Sequence, residues 1–227
     1  RVSARCMLGL AELAQKEKRY DAAFPWLERS LAIVQTTTAC ARREHAEILR
    51  LIAENLFARN LPVEALERAE QLAEIQREIL PPDHGDVIHT WQLLGTLKQL
   101  LKNPLGAEAA YRKALDLQGK NPDEAIAARL ADVLVEQGKY SDGHAVLNGL
   151  IGSCQERGDR NSLLRLLSQQ AGVCYLESQY ENAAQLMERC VRSAKSSSGL
   201  TLPKRPVIWR IWLERDSCWA SSIPPNR

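Results

Sequence analysis

The sequence predicts an all-α fold, an α-solenoid wound as a right-handed superhelix from five helix–turn–helix repeats. Three observations carry that expectation. First, the chain is 45% hydrophobic, 26% charged and only 5% aromatic, and rich in Leu, Ala, Glu, Arg and Gln, which favour helices over strands. Second, the turn between the two helices of each repeat is marked by Tyr20, Pro62, Pro104, Tyr140 and Tyr180, at intervals of 42, 42, 36 and 40 residues. Third, three residues after these marks stand Ala23, Ala65, Ala107, Gly143 and Ala183, and nine before them stand Ala11, Ala53, Gly95, Ala131 and Ala171. All ten are Ala or Gly, against a background of roughly one residue in six for the pair. Paired helices that cross closely leave room for nothing larger.

The elements follow in order. The first repeat runs from about Ser3 to Thr36, its first helix ending near Lys18 and its second carrying Ala23, Leu27, Leu31 and Val34, with Pro25 placed in the first turn, where a missing N–H does little harm. In the second repeat, Leu49, Ile52, Ala53 and Leu56 share one face, Pro62 starts the second helix, and Pro81-Pro82 ends it. The third repeat takes Asp83 or Asp86 as its N-cap and has Pro104 at the first position of its second helix. The fourth opens with a proline-initiated helix at Asn121-Pro122-Asp123-Glu124 and turns at Gly138. Its second helix is expected to be the weakest, because Gly143, Gly149 and Gly152 each cost about 1 kcal/mol of propensity relative to Ala. The fifth runs from about Asp159 to Ala194 and turns at Ser178-Gln179-Tyr180.

The repeat domain is therefore expected over residues 1–195. Residues 196–227 form a Ser/Gly linker and a tail holding three of the five tryptophans. Two readings of that tail stand side by side: a capping helix over Val207 to Trp219, with Ile208, Ile211, Trp212 and Trp219 on one side, or an unfolded end.

Thirty basic and 28 acidic residues leave a net charge of +2, so no strong field points to nucleic acid or an anionic membrane. Cys6, Cys40, Cys154, Cys174, Cys190 and Cys218 lack a CxxC pair and are expected as buried thiols of a reducing compartment, the cytoplasm. No apolar run approaches the ~18 residues of a membrane span. The opening RVSARCMLGL does not begin with Met and has no signal-peptide layout, which reads as a fragment of a longer chain.

The joint EILPPDHGDVIHTWQLLGTL, with Pro82, Asp83, His84, Asp86 and Val87, resembles the 42-residue tetratricopeptide repeats of the kinesin light chain and nephrocystin type. Glu108 to Leu115 is similar to that family's second helix. The general tetratricopeptide resemblance covers residues 3–194 and the 42-residue subtype the first three repeats. It implies a protein-recognition solenoid. Kinesin light chains commonly carry an asparagine where this chain has Leu51, Leu93, Arg129 and Gln169, which argues against carrying over their cargo preference.

His84, Asp86 and His89 are better explained as a joint and cap than as a metal site, and neither cofactor nor metal is expected. No GxSxG, P-loop, HExxH or glycine-rich nucleotide loop occurs, so no enzyme is expected. In such an array the first helices line the concave surface, and their non-packing positions face a groove. The candidate binding residues are Glu47, Arg50, Glu54, His89, Gln92, Thr96, Gln99, Arg129, Asp132, Arg165 and Gln169, flanked by Arg5, Glu12, Glu136 and Ser168. The groove is polar and of mixed sign. It suits an adaptor holding a peptide or helix of a protein partner, with Arg50, Arg129 and Arg165 able to grip carboxylates; self-association through the Trp-rich tail and a regulatory role within a larger chain are the alternatives.

Overall fold

The computed structural model describes residues 2–35, 42–119 and 123–195. Among these the chain forms ten helices and no strand: α1 (Val2–Lys16), α2 (Tyr20–Gln35), α3 (Arg42–Ala58), α4 (Pro62–Ile79), α5 (Gly85–Leu100), α6 (Pro104–Gln118), α7 (Glu124–Glu136), α8 (Tyr140–Arg157), α9 (Arg160–Leu176) and α10 (Tyr180–Lys195). The fold is an all-α repeat solenoid. Every turn mark read from the sequence is the first residue of a second helix, so positions are counted from that residue as zero. The ten small residues then occupy −9 and +3, and all ten are buried. The tail expected over 196–227 lies outside the described residues, as do Cys40 and Cys218.

The chain divides into two compact bodies, Arg1–Gln137 and Gly138–Arg227. In the first, α1 to α7 pack consecutively. One apolar cluster runs from Leu8 and Ala11 through Leu27, Ile48, Ile52 and Leu72 to Leu94, Leu97 and Ala110. In the second, α8 packs on α9 and α9 on α10, with Leu147, Ile151, Leu166 and Leu167 among the buried residues. Cys154, Cys174 and Cys190 are buried as expected, and burial raises all three thiols above the usual range. Cys6 is exposed, contrary to the expectation of a buried thiol.

The hairpins share a backbone device that the sequence conceals. The residue at −2 adopts a left-handed conformation in all five: Lys18 (φ 58), Asn60 (φ 61), Lys102 (φ 58), Gly138 (φ 74) and Ser178 (φ 63). In the turns at Lys18, Asn60, Lys102 and Ser178 the next N–H reaches back five residues, as in Arg19 to Ala14 (2.8 Å) and Gln179 to Cys174 (2.8 Å), which satisfies carbonyls at the end of the first helix.

Three local expectations are corrected. The N-cap of α5 is His84, whose Nδ1 accepts from the Asp86 N–H (3.2 Å); Asp86 sits within the first turn, where a carboxylate favours the helix dipole. Helix α7 begins at Glu124, capped by Asp123, whose Oδ1 accepts from the Ala125 N–H at 2.7 Å; Asn121 and Pro122 of the expected start lie outside the described residues. Pro25 is the sixth residue of α2, in its second turn, and its missing N–H removes the helical donor for the Asp21 carbonyl at a residue exposed to solvent. Finally, α8 is continuous for 18 residues despite its glycines. Its buried face of Leu147, Leu150, Ile151 and Cys154 supplies packing that outweighs their propensity cost.

Candidate functional site

In the first body the first helices α1, α3, α5 and α7 carry the candidate positions at −15, −12, −11, −8 and −5, which share one helical stripe. Packing against second helices holds each stripe outward. On α3, Arg50 Nη1 and Glu54 Oε1 form an i,i+4 ion pair of 2.8 Å. Both line a cavity of about 610 Å³ with Glu12, Gln15, Lys16 and Tyr20 from the first hairpin and Leu51, Phe57 and Ala58 from α3. Glu47 stands exposed one turn before Arg50. The cavity thus combines carboxylates, cations and the ring of Phe57, which is 39% exposed.

On α5 and α7 a second cluster forms around Tyr111. Its ring is fully buried in α6 and occupies the space beside Gly95, where a Cβ would lie 2.6 Å from Tyr111 Cε1. The hydroxyl reaches Thr96 Oγ1 at 3.1 Å, while that Oγ1 also donates to the Gln92 carbonyl at 3.1 Å. Burial pushes the Tyr111 phenol up, opposed by the hydrogen bond to Thr96 and by Arg129; Asp132 adds to the rise. Tyr111 therefore meets the stripe from below through Thr96, near the charges of Arg129 and Asp132. Gln99 Nε2 donates to Glu136 Oε1 at 2.8 Å, tying α5 to α7. Gln92 is half-buried, and His89 is exposed one turn before it.

Arg165 and Gln169 belong to the second body, on α9, exposed and half-buried respectively. That body has its own concavity of about 320 Å³, which His144, Gln170, Cys174, Gln179 and Arg189 help to line. His144 Nε2 lies 2.7 Å from Glu177 Oε2, so this histidine works in a helix-to-helix contact. Among the described residues no group of three or more His, Cys, Asp or Glu is placed to hold a metal ion, and none of the helices is long and apolar enough to cross a membrane.

Sequence reasoning missed Gln15, Lys16, Tyr20, Phe57 and Tyr111. The first four sit at −5, −4 and 0, a one-turn extension of the predicted stripe. Gln99 at −5 was included, and the same position holds Gln15 and Phe57 in the earlier repeats. Tyr111 gave no surface signal because its ring lies on the packing side and only its hydroxyl reaches the stripe.

An all-α array of helical hairpins with small residues at −9 and +3 and a polar stripe on the first helices is a repeat scaffold. The tetratricopeptide repeat profile matches residues 3–78 and 44–120, and the chain belongs to that family. Among solved structures it is similar to a kinesin light chain protein of nearly identical TPR-like repeats from Podosopora anserina, at 20% identity and a TM-score of 0.75 over 86% of this chain and 97% of that one. It is also similar to BtubC (BKLC) from P. vanneervenii, at 18% identity and a TM-score of 0.71 over 87% and 82% of the two chains. A third likeness is to YrrB, described as a TPR protein with an unusual peptide-binding site, at 12% identity and a TM-score of 0.61 over 82% and 84%. At these identities the likeness is one of fold. No curated protein matches the chain.

Proposed function

We propose that this protein is a non-enzymatic scaffold or adaptor that holds a peptide segment or helix of a partner protein against its first helices. The observation that supports this reading best is the α1–α3 cavity of about 610 Å³. It joins the half-exposed Phe57 ring to Glu12, Lys16, Arg50 and Glu54, which suits one apolar anchor flanked by charge of either sign. Glu47, His89, Gln92, Thr96, Gln99, Arg129 and Asp132 extend the same stripe, and Arg165 and Gln169 are its counterparts on α9. YrrB's description as a peptide binder lends general support to a protein-binding role.

Residues 1–195 serve as the recognition domain in this reading and residues 196–227 as linker and tail. Thiols without CxxC pairing suit a reducing compartment, and we place the protein in the cytoplasm on that ground. Affinity capture tests the groove by comparing the whole chain with a variant in which Arg50, Arg129 and Arg165 are alanine. Partners lost from the variant support recognition on the stripe; an unchanged set places it elsewhere. Deleting residues 199–227 tests the tail in the same assay, and undiminished capture with a monomeric chain would sink a self-association role for it.

A further inference from the structure

In the body of residues 1–137 the hairpin turns lie at one edge and the joints between repeats at the other, separated by the length of a helix. Three exposed apolar side chains stand at the turn edge: Val63 (54%), Leu100 (52%) and Leu105 (68%). Helix packing brings them together. Antiparallel neighbours set −3 of one repeat against +4 of the repeat before it, as where Arg59 lies over the Phe24 ring at 4.7 Å and Gln137 donates to Glu108 at 2.9 Å. Between α4 and α5, which pack together, these positions hold Leu101 and Leu66, both half-buried. The end of α5 thus lies beside the start of α4, and Leu100 beside Val63. Leu105 is in the first turn of α6, which packs on α5.

The apolar edge is particular to the second and third repeats. At +1 the other three have Asp21, Ser141 and Glu181. At −4, within this body, Lys16 and Glu136 stand on either side of Ala58 and Leu100.

Beside the patch, the first and second turns enclose a cavity of about 620 Å³. Leu61, which leads into Pro62 and Val63, forms part of its wall, with Lys18, Arg19 and Arg59. Two of these cations already have carboxylates: Arg19 pairs with Glu17, and Arg59 Nε lies 2.8 Å from Asp21 Oδ1. Lys18 is exposed, as is Lys102 at the same −2 position of the third turn. Both hold the left-handed conformation (φ 58), which glycine adopts at no steric cost, so turn geometry does not call for lysine at either place. Against them stand Glu64, exposed next to Val63, and Glu136, which accepts from Gln99 at 2.8 Å.

We propose that this turn edge is a contact surface for an anionic lipid bilayer. Val63, Leu100 and Leu105 enter the interfacial layer, Lys18 and Lys102 meet the headgroups, and an anionic headgroup seats in the cavity between the first two turns. Interfacial binding adds buried apolar area to attraction for anionic lipid, and this edge supplies both locally although the net charge of the chain is only +2. Leucine and valine at helix ends form no trough between helix axes of the kind that holds a partner helix. The edge is separate from the first-helix stripe, so the proposal stands or falls independently of peptide recognition there.

Cosedimentation of the whole chain with vesicles tests it. Binding is expected to vesicles of equal parts phosphatidylcholine and phosphatidylserine, and at least tenfold weaker binding to phosphatidylcholine alone. Added salt should weaken the first. Val63→Asp with Leu105→Asp should reduce binding to the mixed vesicles at least tenfold. Both positions are exposed and lie in the first turn of a helix, where a carboxylate favours the dipole, so circular dichroism should show the fold retained. Lys18→Gly with Lys102→Gly keeps the turns, and should weaken binding to the mixed vesicles while leaving that to phosphatidylcholine unchanged. Equal sedimentation of wild type and the double aspartate variant overturns the proposal, as does a wild-type chain that stays in the supernatant with the mixed vesicles. Undiminished binding by the double glycine variant overturns it too. So does a concentration-dependent dimer abolished by the aspartates, because a second copy of the chain then covers the edge.

Discussion

The meeting of Gly95 and Tyr111 permits a sharp test of the register. Replacing Gly95 with Ala puts a Cβ 2.6, 2.7 and 2.9 Å from three ring atoms of Tyr111, well inside van der Waals contact. The ring is fully buried and its hydroxyl is tied to Thr96, so it has no free direction to move. Overpacking of this kind costs ~1–3 kcal/mol, offset by ~1 kcal/mol of helix propensity gained in replacing Gly. The expected net loss is up to ~2 kcal/mol, and each kcal/mol shifts Tm by about 2–4 °C at this chain length. The same substitution at Gly149 meets nothing within 4 Å and sits inside α8, so it should stabilise by up to about 1 kcal/mol. Thermal and urea unfolding by circular dichroism compare the two variants. Combining Gly95→Ala with Tyr111→Leu should cost less than the sum of the singles, since the ring that clashes is gone. If Gly95→Ala stabilises as Gly149→Ala does, the helix-crossing assignment is wrong.

The hairpin turns give a second pair: Ser178→Gly relieves a left-handed residue (φ 63) and should stabilise by ~1 kcal/mol, whereas Gly138→Ala (φ 74) should lose about as much, both read from urea midpoints. Because burial holds the folded Tyr111 phenol above the ordinary tyrosine value of 10.0, its contribution is full below pH 10 and declines as pH rises from there toward the folded value. There the unfolded chain releases a proton that the folded one keeps; Tyr111→Phe should flatten the fall by up to about 1.4 kcal/mol per pH unit. Iodoacetamide at neutral pH should label Cys6 quickly and Cys154, Cys174 and Cys190 only after unfolding, as mapped by peptide mass spectrometry. Ala131→Leu, at a fully buried position, should cost ~1–3 kcal/mol, while Gln92→Ala on the half-buried stripe should leave melting nearly unchanged.

Steric necessity made the fold readable. A close helix crossing admits only Ala or Gly, so positions −9 and +3 repeat strictly and betray the register even where other residues vary. The left-handed residue at −2 left no comparable trace, because Lys18, Asn60, Lys102 and Ser178 adopt it as Gly138 does; the five-residue back-bonds compensate strain that a sequence reading would assign to Gly alone. Capping was legible only in part for a similar reason. A histidine Nδ1 serves as acceptor at α5, and nothing in the PDHGDV joint distinguishes His84 from its acidic neighbours as the cap.

The groove was legible as a stripe but not as a surface with chemistry. Periodicity selects outward positions on a helix without telling which of them converge. Arg50 and Glu54 satisfy each other within one helix, while Gln99 and Glu136 pair across α5 and α7, and both pairs look alike in sequence. Tyr111 reaches the stripe from a packing position through its hydroxyl, so an apolar pattern hides a polar contribution.

The −3/+4 contact explains how one backbone arrangement tolerates such varied residues. The junction is satisfied by a cation over a ring at Arg59–Phe24, by a neutral donor on a carboxylate at Gln137–Glu108 and by an imidazole on a carboxylate at Glu177–His144. Each pair is compatible within itself, and exchanging members would place Arg59 against His144 or Glu177 against Glu108. The small residues at −9 and +3 thus set how closely helices approach in any repeat, while the −3/+4 pairs vary in chemistry from one junction to the next.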